Sequence, residues 1–326
     1  METLLRAADF IYENLQGPVS SNSYRSTGDR LKNGRIQVSR SDVRILLSTM
    51  DPAGITSRRR NRLTRRTYAN PGPDFAWHVD GHDKLKPFGF PIHGAIDGYS
   101  RKVMWLRVVR SNNCPKIIAS LFLDSVKNYN GCPRQLVTDA GTENALIAAI
   151  QSYFWQDTKA HRYVPSPRNQ RIEGWWSFFM RYRGSWWRDF FQRLEASNTI
   201  DLTSTLDNEC LWYCFSKVIQ KDLDDVKDYW NSHRIRKSRH DTVAGRPDVL
   251  YYLPERSGGS ENLILIVPEA EIAVISQEID IDNGKNDYQD YFEYVQNSLS
   301  LPDPKNANEA LEAFRLMKNS AVQGTV

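Results

Sequence analysis

The chain has 326 residues, of which 40% are hydrophobic and 25% are charged, a balance that excludes a disordered or fibrous protein. Its length exceeds one ordinary domain and predicts a sizeable core domain with smaller additions. The net charge is +4, but 12 acidic and 5 basic residues from Arg256 onward give −7 and leave +11 for residues 1–255. This basic body favours a polyanionic partner, although ordinary solubility also accounts for a modest positive charge.

Cysteine usage and hydropathy indicate the compartment. The four cysteines, at positions 114, 132, 210 and 214, form no close, even framework, which indicates reduced thiols in the cytosol or nucleus. Acidic residues interrupt the apolar positions of residues 1–15, unlike a signal peptide, and the longest aliphatic run, residues 263–267, is too short for a bilayer. We expect a soluble intracellular protein with no membrane partner.

Residues 1–70 are predicted to form a helical N-terminal region that ends in a basic linker. Apolar residues recur at helical spacing in residues 1–15, a polar loop is expected over residues 17–33, and a second helix follows over residues 38–47. Ser39 is positioned to cap this second helix, with Asp42 in its first turn. The basic residues near its start fit the recognition helix of a helix-turn-helix, and a plain helical linker remains the alternative.

The densest charge run lies in residues 57–66. Guanidinium groups bind phosphate in bidentate geometry, so we expect contact with the DNA backbone here. A solvated linker and a nuclear-targeting signal are the other interpretations, and targeting is compatible with DNA contact. The arginines predicted to bind DNA are Arg58, Arg59, Arg60 and Arg62.

The predicted core, residues 71–255, starts after a Pro-Gly-Pro turn. Within residues 75–85, Phe75, Trp77 and Val79 alternate with Ala76, His78 and Asp80, which predicts a strand with Asp80 near its end. Further strands are predicted at 92–96, 103–109, 135–139 and 161–164, with helices at 115–129 and 144–155. Asp97 and Gly98 form the expected hairpin turn, and Asp139 ends the fourth strand. Three consecutive strands followed by alternating helices and strands predict an α/β fold with a mixed sheet.

The rest of the chain is predicted to be mainly helical. A long aromatic helix is expected from Arg171 to about Leu194, with a bend at Gly184 and Ser185. Its rings suit burial, which we favour, or stacking on unpaired bases. Another helix is expected over residues 206–230. An acidic extension, residues 256–326, is predicted to carry two strands, at 263–267 and 272–275, and a helix over 308–318.

Several phrases of the chain, in order over residues 35–255, resemble the D,D,E core of the retroviral-integrase and DDE-transposase superfamily, and are closest to transposon-derived integrase-core proteins. These phrases are Trp77-His78-Val79-Asp80-Gly81, Ile96-Asp97-Gly98-Tyr99-Ser100-Arg101, Thr138-Asp139-Ala140-Gly141-Thr142-Glu143-Asn144, Asn169-Gln170-Arg171-Ile172-Glu173 and Trp230-Asn231-Ser232-His233-Arg234-Ile235-Arg236. The resemblance implies a ribonuclease-H-like fold: a five-stranded mixed sheet flanked by helices, between a small helical N-terminal region and a small C-terminal extension.

The resemblance also implies a catalytic site of three carboxylates, Asp80, Asp139 and Glu173, that bind two Mg²⁺ or Mn²⁺ ions. Asp80 would bridge both ions, while Asp139 and Glu173 would each complete one site. Hard divalent ions prefer oxygen ligands, and two of them activate the nucleophile and stabilise the leaving oxygen at a phosphodiester. The implied function is polynucleotidyl transfer in DNA integration or transposition, with double-stranded DNA as partner, homo-oligomer assembly and a nuclear location.

Residues around the three acids have alternative roles. DNA contact is expected from four residues that precede Glu173: Arg168, Asn169, Gln170 and Arg171. His78 and His82 share a strand face with Asp80, so a histidine either positions a water or is simply hydrogen-bonded. Glu143 is interpreted as a helix start rather than a ligand. Cys210 and Cys214 lie at the wrong spacing for the zinc module of retroviral integrases.

One departure from the family bears on activity. Pro165-Ser166-Pro167 replaces the expected Gly-containing loop, and proline stiffens a segment that closes on DNA. The leading hypothesis is an active, metal-dependent polynucleotidyl transferase. A catalytically silent derivative that binds DNA or protein is the rival, and a nuclease of the same fold is a further possibility.

Overall fold

The computed structural model describes residues 2–15, 24–52, 70–237, 243–279 and 286–323. The chain divides into two units, Met1–Arg65 with Trp176–Ile200, and Arg66–Trp175 with Asp201–Val326. In the described part of the chain, no helix has both the length and the apolar character needed to span a membrane.

The N-terminal helices share a small apolar core. They are α1 (Glu2–Leu15), α2 (Tyr24–Asn33) and α3 (Arg40–Met50). The polar loop expected over residues 17–33 is corrected here, because residues 24–33 are helical. The sequence pattern hides α2 because Ser26 and Thr27 are buried along with Leu31 on its inner face. The capping box of α3 is confirmed: Ser39 accepts a hydrogen bond from the Asp42 amide, and Asp42 accepts one from the Ser39 amide.

The larger unit is built on one five-stranded sheet. Its strands are β1 (Ala76–His82), β2 (Ile92–Asp97), β3 (Val103–Val108), β4 (Gln135–Thr138) and β5 (His161–Tyr163). The order across the sheet is β3-β2-β1-β4-β5. The β3-β2-β1 pairs are antiparallel and the β1-β4 and β4-β5 pairs are parallel, which confirms the predicted mixed sheet.

The larger unit also contains helices that pack on the sheet or, in the acidic extension, on other helices. They are α4 (Pro115–Asn128), α5 (Ala145–Trp155), α8 (Thr205–Ser232), α9 (Pro247–Tyr252), α10 (Glu269–Glu278), α11 (Asp287–Ser298) and α12 (Ala307–Gln323). Trp77 and Val79, on one face of β1, pack with Ile118 and Phe122 of α4 and Ile147 of α5 in the main hydrophobic core. Because His78 and Asp80 alternate with Trp77 and Val79, they face the opposite side of the sheet.

The predicted aromatic helix consists of three parts: α6 (Gln170–Phe179), a π-helical turn (Met180–Gly184) and α7 (Ser185–Ala196). The expected irregularity at Gly184 and Ser185 is therefore a π-turn, an insertion that bends helices. Burial of the rings is confirmed for a majority of them, as Trp175, Trp176, Phe179, Trp187, Phe190 and Phe191 are all less than 9% exposed.

The acidic extension differs from its prediction. The expected strand at residues 272–275 lies inside α10, where Pro268 and the acids Glu269 and Glu271 begin a helix. The expected strand at residues 263–267 forms only one bridge, Leu265 to Cys132. Short apolar runs fit both the helical period and the strand period, so the pattern alone does not separate a helix from a strand here. Beyond α10, α11 and α12 pack on α8, with Cys210 Sγ lying 3.8 Å from the Phe314 carbonyl oxygen.

Candidate active site

The first two predicted carboxylates lie on neighbouring parallel strands at matching positions. The register pairs Ala76 with Gln135 and His78 with Val137; continued by two residues, it sets Asp80 beside Asp139. Val137 clusters with Ala76 and Val164, on the face that His78 and Asp80 share by alternation. Asp139 follows Val137 by two residues, so both carboxylates belong to one face at the carboxyl ends of β1 and β4.

Asp139 is oriented by the turn that follows β4. Its Oδ1 accepts a hydrogen bond from the Asn144 side chain at 2.9 Å and one from the Gly141 amide at 3.3 Å. Asn144 also donates to Glu143 Oε1 at 3.1 Å. Glu143 lies in a 3₁₀ turn, Thr142–Asn144, that leads into α5, in agreement with its interpretation as a helix start. The turn therefore leaves the carboxylate of Asp139 half-buried and held from one side.

Glu173 lies in the first turn of α6 and is half-buried. Its amide donates to the Asn169 carbonyl at 3.2 Å, and its Oε1 accepts a hydrogen bond from Ser166 Oγ at 2.5 Å. Residues Ser166–Arg168 form a 3₁₀ turn closed by the Arg168 amide on the Pro165 carbonyl. The proline-containing segment thus forms an ordered turn directly before the helix that carries Glu173.

Asn169 connects this helix to β1. Its side chain is 1% exposed; Nδ2 donates to the Val79 carbonyl at 2.9 Å, and Oδ1 lies 2.7 Å from His78 Nδ1. In this conformation the Asn169 amide is used inside the protein, so its expected DNA contact remains a prediction. Of the neighbouring residues predicted to touch DNA, Arg168 is exposed and Gln170 and Arg171 are half-buried. Arg58, Arg59, Arg60 and Arg62 lie outside the described residues.

The histidines around the carboxylates are neutral at neutral pH. Burial, with a smaller effect of the positive charges of Arg171 and Arg162, lowers the pKa of His78 to about 4. Burial, with Lys84, lowers the pKa of His82 to about 4, and burial lowers that of His161 to about 4. His161 Nε2 lies 3.1 Å from Thr138 Oγ1, which donates to the Asp139 carbonyl at 2.8 Å. These buried rings are therefore uncharged at neutral pH.

The three carboxylates supply the donor atoms that Mg²⁺ or Mn²⁺ prefers, so the residues fit these ions by chemistry. Within the described ranges, however, no three His, Cys, Asp or Glu side chains are gathered closely enough to hold a metal. Cys210 and Cys214 belong to the interior: Cys214 Sγ lies 3.7 Å from Met317 Sδ, and burial raises the pKa of the Cys210 thiol.

Sequence reasoning missed one buried carboxylate pair, outside the three acids. The Asp74 amide donates to Asp97 Oδ1 at 2.8 Å, and Asp97 Oδ2 accepts from the Ser100 amide and hydroxyl, both at 2.7 Å. The turn role predicted for Asp97 is confirmed. The Pro-Gly-Pro turn before Asp74 indicated only a loop, and no local pattern links residues 23 positions apart.

A five-stranded mixed sheet in this order, with acids at the ends of adjacent parallel strands, defines the ribonuclease-H-like class of α/β proteins. The family described as integrase core domain matches residues 67–251, more than half of the chain. The chain belongs to this family, and with it to the polynucleotidyl transferase superfamily.

Solved structures add little to this assignment. The chain is similar to one in a cryo-electron microscopy structure of the simian T-cell lymphotropic virus intasome in complex with PP2A regulatory subunit B56 gamma. Identity is 16%, coverage is 74% of this chain and 73% of that chain, and the TM-score is 0.31. Comparison with curated proteins found no match.

Proposed function

We propose that this protein is an integrase- or transposase-like polynucleotidyl transferase that acts on double-stranded DNA in the nucleus, as a homo-oligomer. The observation that carries the proposal is the placement of Asp80 and Asp139 at matching positions on parallel strands, with Glu173 on a helix tied to β1 through Asn169. Isolated acids are usually solvated surface groups, whereas three acids on the expected elements fit one shared site.

Each acid has a structural reason to act in this site. Asp80 is carried by the central strand of the sheet, and Asp139 is oriented by Gly141 and Asn144. Glu173 lies on α6 and not on the sheet, so its position relative to Asp80 and Asp139 depends on how the start of α6 is held. Asp80, Asp139 and Glu173 would hold two Mg²⁺ or Mn²⁺ ions, which when bound promote nucleophilic displacement at a DNA phosphodiester.

Charge supports DNA as the substrate. Residues 1–255 carry a net charge of +11, and the basic residues Arg162, Arg168 and Arg171 lie just before Glu173 or within its helix. Phosphate contacts by such residues position a duplex without reading its sequence. These contacts, like those of the arginine run at residues 58–62, are part of the proposal.

A silent derivative that binds DNA or protein remains the rival. The ordered 3₁₀ turn at Ser166–Arg168 and the hydrogen bond from Ser166 to Glu173 favour it, because they occupy a carboxylate oxygen that would otherwise bind a metal ion. Catalysis would then require this turn to release the carboxylate, a conformational step of the kind that lids and loops perform.

The test is nicking and strand transfer of a labelled duplex by purified protein with Mn²⁺ or Mg²⁺. Asp139→Asn keeps an oxygen for Gly141 and Asn144 but removes the charge, so activity is expected to fall at least about a hundredfold with unchanged duplex binding. Asp124→Asn, at an exposed position of α4, is the matched control and retains activity. If wild type and Asp139→Asn bind DNA equally and neither cuts nor joins it, the rival is favoured.

A further inference from the structure

The buried contact between His78 and Asn169 joins two segments that each carry one of the proposed catalytic acids. His78 precedes Asp80 by two residues on β1 and is 0% exposed. Asn169 directly precedes α6, and the Glu173 amide donates to its carbonyl. The 2.7 Å contact between His78 Nδ1 and Asn169 Oδ1 therefore links the strand of Asp80 to the helix of Glu173.

The hydrogen bonds fix the direction of this link. Asn169 Nδ2 donates to the Val79 carbonyl, so the other end of the amide, Oδ1, faces His78. An amide oxygen only accepts hydrogen bonds, so His78 Nδ1 must carry the proton. One asparagine side chain is thereby held by two successive residues of β1, His78 through its ring and Val79 through its backbone.

We propose that His78 is a positioning residue for the carboxylate site: through Asn169 it fixes the first turn of α6, and with it Glu173, relative to Asp80. The catalytic consequence rests on the proposed function. The structural role of His78 does not depend on that function, because Asn169, which His78 holds, also accepts the hydrogen bond from the Glu173 amide. Without the donor from His78, the side-chain oxygen of Asn169 would be buried and unpaired. Turning the Asn169 side chain away from β1 would then lower the free energy.

Two substitutions separate hydrogen bonding from packing. His78→Leu fills the buried space with apolar atoms but offers no donor to Asn169. His78→Asn leaves part of the space empty but places an amide nitrogen at the δ position, where the ring nitrogen donates. A role in packing alone predicts that leucine is the better replacement, whereas a positioning role predicts that asparagine is better.

The primary readout is hydrogen exchange at the Glu173 amide, resolved by fragmentation mass spectrometry on the full chain. We expect exchange about tenfold faster in His78→Leu and close to wild type in His78→Asn, whichever variant has the higher melting temperature. His93→Leu is the matched control: His93 is a buried histidine of β2 that accepts a hydrogen bond from Trp105, on the opposite face of the sheet. It is expected to lower stability without a selective change at Glu173.

Strand-transfer rates measured beside exchange give the catalytic part. A loss of about tenfold or more in His78→Leu that His78→Asn restores supports the proposal. Equal exchange at Glu173 in His78→Leu and His78→Asn, or faster exchange in the asparagine variant, overturns it. If the wild-type protein transfers no strands, the proposed function fails, and the exchange result still decides whether His78 positions the helix.

Discussion

At the scale of single residues, the buried Asp74 is held by partners both near to it and far from it in the sequence. Asp74 Oδ1 accepts hydrogen bonds from Trp77 Nε1 at 2.6 Å and from the Tyr251 hydroxyl at 3.1 Å, beside the buried carboxyl group of Asp97, whose pKa burial also raises. Asp74 Oδ2 is buried without a hydrogen bond of ordinary geometry among the described residues. Burial first, and the charge of Asp97 second, raise the pKa of Asp74 to about 7.

This raised pKa predicts a pH dependence of stability. Between the unfolded pKa of 3.8 and about 7, the folded protein keeps a proton on Asp74 that the unfolded chain has lost. The free energy of unfolding therefore falls as pH rises through this window, by an amount on the order of a few kcal/mol. Below the window both states are protonated, so the contribution of Asp74 is fully present there.

Asp74→Asn is expected to flatten this dependence. Asparagine keeps the oxygen that Trp77 and Tyr251 bind, tolerates the left-handed backbone of residue 74 at φ 57, and does not titrate. The measurement is the urea unfolding free energy at several pH values from 4.5 to 7.5, with Asp124→Asn as an exposed control. A variant that retains the wild-type slope would show that Asp74 is not the titrating group.

At the same scale, the sequence predicted which acids to examine but not which residues hold them. Asp80, Asp139 and Glu173 stand out because each lies near the end of a predicted strand or within a predicted helix. Asn169 was expected to touch DNA because the sequence spacing sets it one helical turn before Glu173, on the same face. Its contact with His78 joins two residues 91 positions apart in the chain, and local patterns do not encode such a contact.

At the scale of elements, side chains of α8 complete the hydrogen bonding of the edge strand β3. Asn231 of α8 accepts from the Val103 amide at 2.8 Å and donates to the Val103 carbonyl at 3.1 Å, and Trp230 donates to the Arg101 carbonyl at 2.6 Å. Gln220 similarly bonds Val108 and Leu106. Side chains of α8 thus satisfy the backbone groups of β3 at the edge of the sheet, which would otherwise be an unpaired edge.

Asn231→Leu is expected to destabilise the protein by about 2–4 kcal/mol, because it leaves a buried N–H and a buried C=O of Val103 unpaired. Urea unfolding monitored by tryptophan fluorescence measures the loss. Lys221→Leu, at an exposed position of the same helix, is the control and is expected to change stability by less than about 0.5 kcal/mol. Equal losses of stability in Asn231→Leu and Lys221→Leu would mean that the hydrogen bonds between Asn231 and Val103 do not stabilise the fold.

The strands and long helices were predictable because their periodicity is strong over β1 to β4 and over α8. The predictions were wrong where the local hydrophobic pattern does not match the pattern of buried residues in the fold. Polar α2 buries Ser26 and Thr27 and was expected to be a loop, while the aliphatic residues 272–275 were expected to be a strand and are helical. In both cases tertiary packing selects the structure that composition alone leaves open.

On the scale of the whole molecule, charge and family assignment both favour a nucleic-acid partner, and they concern overlapping parts of the chain, residues 1–255 and residues 67–251. The integrase core domain match ends at residue 251, before the acidic extension begins. That extension is nevertheless part of the larger unit, because Gln289 bonds Glu209 at 2.7 Å and Lys318 pairs with Asp207 at 2.5 Å on α8. The described helices of the extension thus pack on α8, the helix whose other side chains bond the edge strand β3.

The central claim is that three carboxylates from β1, the end of β4 and α6 act as one metal-dependent site. Mn²⁺ titration followed by the electron paramagnetic resonance signal of the free ion tests it without any need to know the DNA ends. We predict that wild type and Asp124→Asn bind Mn²⁺ equally, while Asp80→Asn, Asp139→Asn and Glu173→Gln each weaken binding at least about tenfold. Equal Mn²⁺ affinity in wild type and all three variants would contradict the account.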